Sequence, residues 1–136
     1  MQHSYSILTT ASPEKVWDIC TDVKSWKKWN PNLVDAEIRG RFDENAEGVI
    51  IQEKGRRRSF LVKSCKPNFS FTLLTKFPFA QMYQRRMIGY HNQKTMVTQE
   101  IWMEGPLSGF WWRMVGRRIG QMMPQSMERF REMAEC

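Results

Sequence analysis

The stretch from Gly105 to Cys136 restricts the fold more than any other part of the chain. Gly105-Pro106 breaks the strand that precedes it, Ser108 or a neighbour can cap, and the run to Met133 carries Met, Arg and Glu without a second stop signal. One helix of roughly 26 residues, about 39 Å long, is predicted, which exceeds most helices of globular proteins. At 100° per residue Leu107, Trp111, Met114, Val115, Ile119, Met122, Phe130 and Met133 share one arc, while Arg113, Arg117, Glu128 and Arg131 lie opposite. The rest of the chain is expected to wrap around this apolar face. Trp and Met outnumber Leu and Ile on it, and Gly116, Gly120 and Pro124 weaken or kink its middle. Met-rich surfaces adapt to irregular partners, so the face suits either packed core or one wall of a ligand cavity.

Upstream the elements are short. His3 to Thr10 alternates weakly and is rich in Ser, Thr, Tyr and Ile, as suits a first strand. Ser12-Pro13-Glu14 opens a short helix: serine caps, proline fits the first helical position, and the Glu14 carboxylate favours the positive end of the helix dipole. Asp22 is read as the cap of a second short helix over 23–29, which Asn30-Pro31 ends because a residue before proline avoids the α region. Six strand-like segments follow, at 33–42, 48–54, 58–66, 69–76, 81–90 and 94–104, punctuated by Gly48, Gly55, Pro67-Asn68, Pro78 and His91-Asn92-Gln93. One strand, two small helices, six strands and a long helix make an α+β chain, with a seven-stranded antiparallel sheet curling around the last helix. No repeat, low-complexity stretch or linker interrupts it, so residues 1–136 are read as a single domain, large enough to bury around two-thirds of its unfolded surface.

Composition removes several classes. Cys20, Cys65 and Cys136 are odd in number and widely spaced, and His3 and His91 have no acidic or cysteine neighbour at metal-ligand spacing. No disulfide, metal or cofactor is therefore expected, and a reducing, cytoplasmic home fits best. Met1-Gln2-His3-Ser4-Tyr5 lacks the basic and apolar regions of a signal peptide, and no apolar run reaches membrane-spanning length. The net charge of +7 invites an anionic partner. Its carriers, Lys24/Lys27/Lys28, Arg56 to Arg58, Arg85-Arg86 and Arg113/Arg117/Arg118, sit in separate segments and read chiefly as solvated faces.

The segment Ser12-Pro13-Glu14-Lys15-Val16-Trp17-Asp18, followed by Asp22-Val23-Lys24-Ser25-Trp26-Lys27-Lys28-Trp29-Asn30-Pro31, resembles the opening of the START-like, polyketide cyclase-type helix-grip (SRPBCC) superfamily that includes Bet v 1. Gly105-Pro106-Leu107 before the last helix is a second matching landmark, and the order of elements agrees across nearly the whole chain. The resemblance implies a curved seven-stranded antiparallel sheet gripping the C-terminal helix around a hydrophobic cavity. Relatives include lipid carriers, hormone binders, aromatase/cyclases and co-chaperones, so it implies a fold rather than one activity.

No GxSxG, nucleotide-binding glycine pattern, HExxH or close Cys/His pair is present, and no catalytic residue is assigned. The leading expectation is a module that encloses a hydrophobic or amphipathic small molecule between sheet and helix. Its ligand-binding candidates are Trp26, Trp29, Tyr83, Arg85, Trp102, Trp111, Met114, Arg118 and Met122. Trp26 and Trp29, three apart, share a helix face and either plug one end of the sandwich or line the cavity mouth. Tyr83 and Arg85 share one strand face, as do Glu100 and Trp102; segment 81–90 has apolar residues at both parities, which leaves open the face that points inward. Arg118 falls on the apolar arc, where its charge must snorkel outward or be received by a ligand carboxylate or an internal acid.

Two other functions fit parts of the sequence. A cyclase/dehydratase-type enzyme acting on a carbonyl substrate would draw acid, base and oxyanion groups from Tyr83, Arg85, Tyr90, His91 and Glu100, and requires at least two of Tyr83, Arg85, Glu100 and Arg118 to converge in the cavity within reach of one reacting atom. An anionic partner, nucleic acid or a transient membrane contact, would use Lys27, Lys28 and Arg56 to Arg58, although no recognised nucleic-acid motif is present. The sequence is also compatible with a homodimer.

Overall fold

The computed structural model describes residues 2–30, 33–52 and 55–135; Pro31, positions 53–54 of the third predicted strand, and Cys136 lie outside the described residues. The elements run β1 (Gln2–Thr9), α1 (Pro13–Thr21), a 3₁₀ turn Val23–Ser25 leading into α2 (Trp26–Trp29), β2 (Leu33–Ile38), β3 (Glu47–Gln52), β4 (Arg57–Lys66), β5 (Ser70–Phe77), β6 (Ala80–His91) and β7 (Lys94–Glu104). The C-terminal helix follows as α3 (Ser108–Trp111), a π-helical turn Trp112–Gly116, and α4 (Arg117–Glu135). The seven strands form one antiparallel sheet in the order β1-β7-β6-β5-β4-β3-β2, curved around that helix: the α+β helix-grip architecture.

Local chemistry accounts for the first elements. The Ser12 hydroxyl accepts the Lys15 amide at 3.1 Å, and Pro13 stands at the start of α1, which buries Val16 and Cys20. Trp26 and Trp29 are both buried by α2, and the Trp26 indole N–H donates to the Cys20 carbonyl at 2.9 Å, joining α2 to the end of α1. Asp22 precedes the 3₁₀ turn without capping its backbone; its carboxylate instead accepts the Ser25 hydroxyl at 2.6 Å. Strand β2 stops at Ile38 rather than 42 because the chain turns through Gly40 at φ 74°, a conformation that suits glycine.

The antiparallel register decides which side chains face the helix. Tyr5 is opposite Gln99, Gln99 opposite Arg86, and Arg86 opposite Phe71, so these four form one row across β1, β7, β6 and β5. Residues two apart share a face, which puts Gln84, Arg86 and Ile88 of β6, and Val97, Gln99 and Ile101 of β7, on the helix side. The intervening residues Tyr83, Arg85, Glu100 and Trp102 belong to the outer side. Helix α4 packs against β1, where Gly120 sits so close to His3 that a Cβ would stand 3.2 Å from the imidazole.

The helix is 28 residues long, and its fully buried stripe is shifted from the arc that a uniform 100° step predicts: Phe130 of that arc is buried, while Trp111, Val115, Ile119 and Met133 are only partly so. Gly116, Gly120, Met123, Met127, Phe130 and Ala134 are buried, and the first three follow one residue after Val115, Ile119 and Met122 of the expected arc. The π turn is the cause. It takes one more residue than an α turn, so every later position is rotated by about 100°. Gly116 makes room for it, since a Cβ there would collide with the Trp112 ring. Met114, inside the turn, is 58 % exposed, and Arg118, just after it, lies in solvent.

Gly48, in β3 toward the other edge of the sheet from β1, offers a further test of packing. It pairs directly with Phe60, and an added Cβ would overlap that ring and lie 2.5 Å from the Glu37 carbonyl oxygen, which backbone pairing holds in place. Gly48→Ala should therefore destabilise the chain by about 1–3 kcal/mol, the usual cost of overpacking, as read from urea unfolding.

Candidate functional site

Between the concave face of the sheet and α4 lies a cavity of about 140 Å³. Trp26 and Trp29 close one end, Phe60, Phe71 and Leu73 line the sheet side, and Ile119, Met122 and Met123 line the helix side. Within these apolar walls stand Thr75, Gln84, Arg86, Gln99 and Ser126. A larger depression of about 700 Å³ borders β2, β3, β4 and β5, but Glu37, Arg39, Glu47, Arg57, Arg58 and Lys76 ring it with charges of both signs. The smaller cavity is the candidate site, because apolar walls and a few convergent buried polar groups characterise small-molecule sites.

Arg86 is the centre of that site, and it is only 5 % exposed. Its guanidinium lies 4.5 Å from the Trp29 ring centroid and 5.3 Å from that of Phe130, two rings that meet edge to face at 5.1 Å. Nη2 donates to the Gln99 side-chain oxygen, directly across the strand pair, and also approaches Met127 Sδ at 3.8 Å; Nη1 reaches Cys20 Sγ at 3.8 Å. Nε has no hydrogen-bond partner among the described residues, and neither does the buried Trp29 Nε1. The ion pairs among the described residues do not include Arg86.

The energies are unequal. Cation–π contacts of a desolvated arginine contribute about 2 kcal/mol and a hydrogen bond to a charged group about 1.5–3 kcal/mol, whereas dehydrating an ion costs several kcal/mol and each unmet donor adds about 1–3 kcal/mol. The site therefore holds a positive charge that its neutral neighbours only partly compensate.

The residues expected from sequence divide between the two faces. Trp26, Trp29 and Met122 line the cavity. Arg85 borders it, yet its guanidinium turns to the outer face, donating to the Glu100 carboxylate at 2.8 and 3.1 Å and lying 5.3 Å from the Trp102 ring. Tyr83 stacks on Trp102 there at 5.3 Å, and burial followed by the nearby Glu104 charge pushes its phenol up. Trp111 packs on Phe77 and donates its indole N–H to the Pro78 carbonyl at 2.9 Å, away from the cavity. The cavity positions expected of Tyr83, Trp102, Trp111, Met114 and Arg118 are thus corrected, by strand parity for the first two and by the course of the helix for the others. Tyr83, Arg85, Glu100 and Arg118 do not converge in the cavity: Arg85 and Glu100 meet on the outer face, and Arg118 lies in solvent.

Sequence reading missed Arg86, Gln84 and Gln99. The available signal lay in β7, where Val97, Gln99, Ile101 and Met103 form an apolar parity interrupted by one amide. A polar residue at such a position marks a buried polar site facing it across the strand pair.

Comparison with known proteins agrees with this architecture. A family model described as polyketide cyclase / dehydrase and lipid transport matches residues 2–135. The structure is similar to protein MLL2253 from Mesorhizobium loti (TM-score 0.78, 14% identity, 97% of this chain and 95% of that one). It is also similar to a START superfamily protein from Mycobacterium smegmatis (TM-score 0.72, 17% identity, 98% and 96%). A third similar structure is the Aha1 dimer from Colwellia psychrerythraea (TM-score 0.73, 16% identity, 99% and 96%). At these identities the structures show a shared fold, that of the START/Bet v 1 superfamily. The sequence has no match among curated proteins.

Cys20 reports on the interior beside Arg86. Burial pushes its thiol above the ordinary value of 9.0, outweighing the opposing pull of the Arg86 charge. The unfolded chain would ionise this thiol from about pH 9 upward while the folded chain resists, so its contribution to stability is complete below that pH and is lost as pH rises toward the folded value. The stability difference between the native chain and Cys20→Ala should therefore shrink above pH 9 in urea titrations. Peptide mapping after alkylation at pH 8 should find Cys20 unmodified in the folded chain and modified in urea.

Proposed function

Since the chain belongs to the polyketide cyclase / dehydrase and lipid transport family, we propose that it binds a hydrophobic or amphipathic small molecule in the cavity between the sheet and α4. The observation that carries this reading is the space itself: side chains from α2, the sheet and α4 surround about 140 Å³ without filling it. An apolar cavity of roughly 150 Å³ accommodates a ligand the size of benzene. The aromatic walls supply burial, and the interior amides, hydroxyls and guanidinium supply orientation.

Binding is supported over the cyclase/dehydratase alternative by the polar groups that line the cavity. They suit holding and orienting a ligand, while on the outer face Arg85 and Glu100 are paired with each other and Tyr83 is stacked on Trp102, so these sources of acid, base and oxyanion chemistry are engaged there. A contact with an anionic macromolecule is less favoured, because Lys24 and Lys27 are drawn into surface ion pairs with Glu37 and Asp35 at 3.5 and 3.8 Å. Among the described residues no helix is long and apolar enough to cross a membrane, and no group of three or more His, Cys, Asp or Glu residues could hold a metal ion.

Thermal-shift screening of the purified chain with small aromatic and short-chain lipid compounds tests the proposal, together with native mass spectrometry for co-purifying material. A binder should raise the melting temperature progressively, by the equivalent of about 2.7 kcal/mol at a hundred times its Kd. Neither a bound species nor any concentration-dependent shift would sink it.

A further inference from the structure

The environment of Arg86 identifies a chemical class of ligand. We propose that the cavity is selective for a compact carboxylic acid, whose carboxylate pairs with the Arg86 guanidinium. This deepens the binding reading and rests on it.

Three observations converge on the acid. First, Arg86 is charged and nearly enclosed, its neighbours are an amide oxygen, a thiol, a thioether and two aromatic rings, all neutral, and no ion pair among the described residues includes it. A buried charge of this kind is completed by an opposite charge that brings its own acceptors. Second, the residues lining the cavity include two arginines and no aspartate or glutamate, so an entering anion meets no described internal carboxylate competing for Arg86. The other arginine, Arg85, is already paired with Glu100 outside. Third, the volume is that of a monocyclic ring or a short chain, and its walls are mainly aromatic and aliphatic.

Charge and shape both favour carboxylate over phosphate. One guanidinium offsets one negative charge, and a phosphate monoester would bring close to two into the same apolar space. With the rings of Trp29 and Phe130 against the guanidinium, a ligand addresses it through its in-plane N–H groups, a fork that a planar carboxylate matches.

Calorimetric titration of the full chain at pH 7.5 and constant chloride separates the possibilities, using phenylacetate, its neutral amide, and phenyl phosphate as probes. Phenylacetate should bind about tenfold to a hundredfold more tightly than the amide, the ratio expected of a buried charge-assisted pair. Arg86→Met should bring the acid down to the affinity of the amide. Arg118→Met, which deletes an exposed charge, should preserve the acid-to-amide ratio. Should Arg86→Met fail to fold, the ratio measured on the unmodified chain still decides. Equal affinities for acid and amide would overturn the carboxylate subsite while leaving a neutral hydrophobic site in place, and tightest binding by phenyl phosphate would overturn the choice of acid. If neither these probes nor the wider panel of apolar compounds binds, the underlying binding reading fails as well.

Discussion

Laying a 28-residue helix across a curved sheet means matching two surfaces that step differently, one by about 100° and the other by 180° per residue. The match is made where α4 meets β1. Gly120 lets the helix approach His3 closely, and the π turn just before it sets which later side chains point inward. Met123, Met127, Phe130 and Ala134 then fill the interior, while Ile119 and Met122 sit at the edge of the buried face and line the space left over. The cavity thus depends on the phase of the helix. Without the extra residue of the π turn, α4 would turn Arg118 inward and Met123 and Met127 away from the core.

The same geometry explains how a charge comes to be buried in a small domain. Arg86 is held by the β5–β6–β7 register, with Gln99 fixed opposite it and Phe71 on the other side, and it is covered by Trp29 from α2 and Phe130 from α4. Four separate parts of the chain must be in place before it is enclosed. Such a group contributes little net stability, because its dehydration offsets what the aromatic contacts return. In the binding reading proposed above, its place in the wall of an unfilled space serves the ligand. On the outer face, by contrast, Arg85 has a carboxylate at 2.8 Å and an aromatic neighbour and is self-sufficient.

Two neighbouring arginines therefore have opposite surroundings, set by strand parity. In segment 81–90 the alternation is blurred: Met82 and Ile88 mark one face, Tyr83 and Met87 the other, and either could have been read as inward. Choosing Tyr83 and Arg85 put the polar candidates one residue away from the buried guanidinium. The displacement of Arg118 is of the same size but has another origin. A helical wheel assumes a constant step, and the i to i+5 turn at Trp112–Gly116 breaks that assumption at a place where the sequence shows only a glycine after a bulky indole.

What the sequence by itself determined is the set of elements and their order. Serine before proline, asparagine before proline, and Gly105-Pro106 before an apolar helix act through local sterics and hydrogen bonding, which need no distant partner. For this reason the strands, the two small helices and the inward Trp26 and Trp29 stand close to where the pattern puts them. Only the tertiary structure decided which face of β6 looks inward, which side of the last helix is buried, and that Arg86 shares a cavity with Trp29. Those outcomes depend on strand register and on helix phase, and both are fixed by contacts between residues far apart in the chain, such as Arg86 with Gln99 and Gly120 with His3.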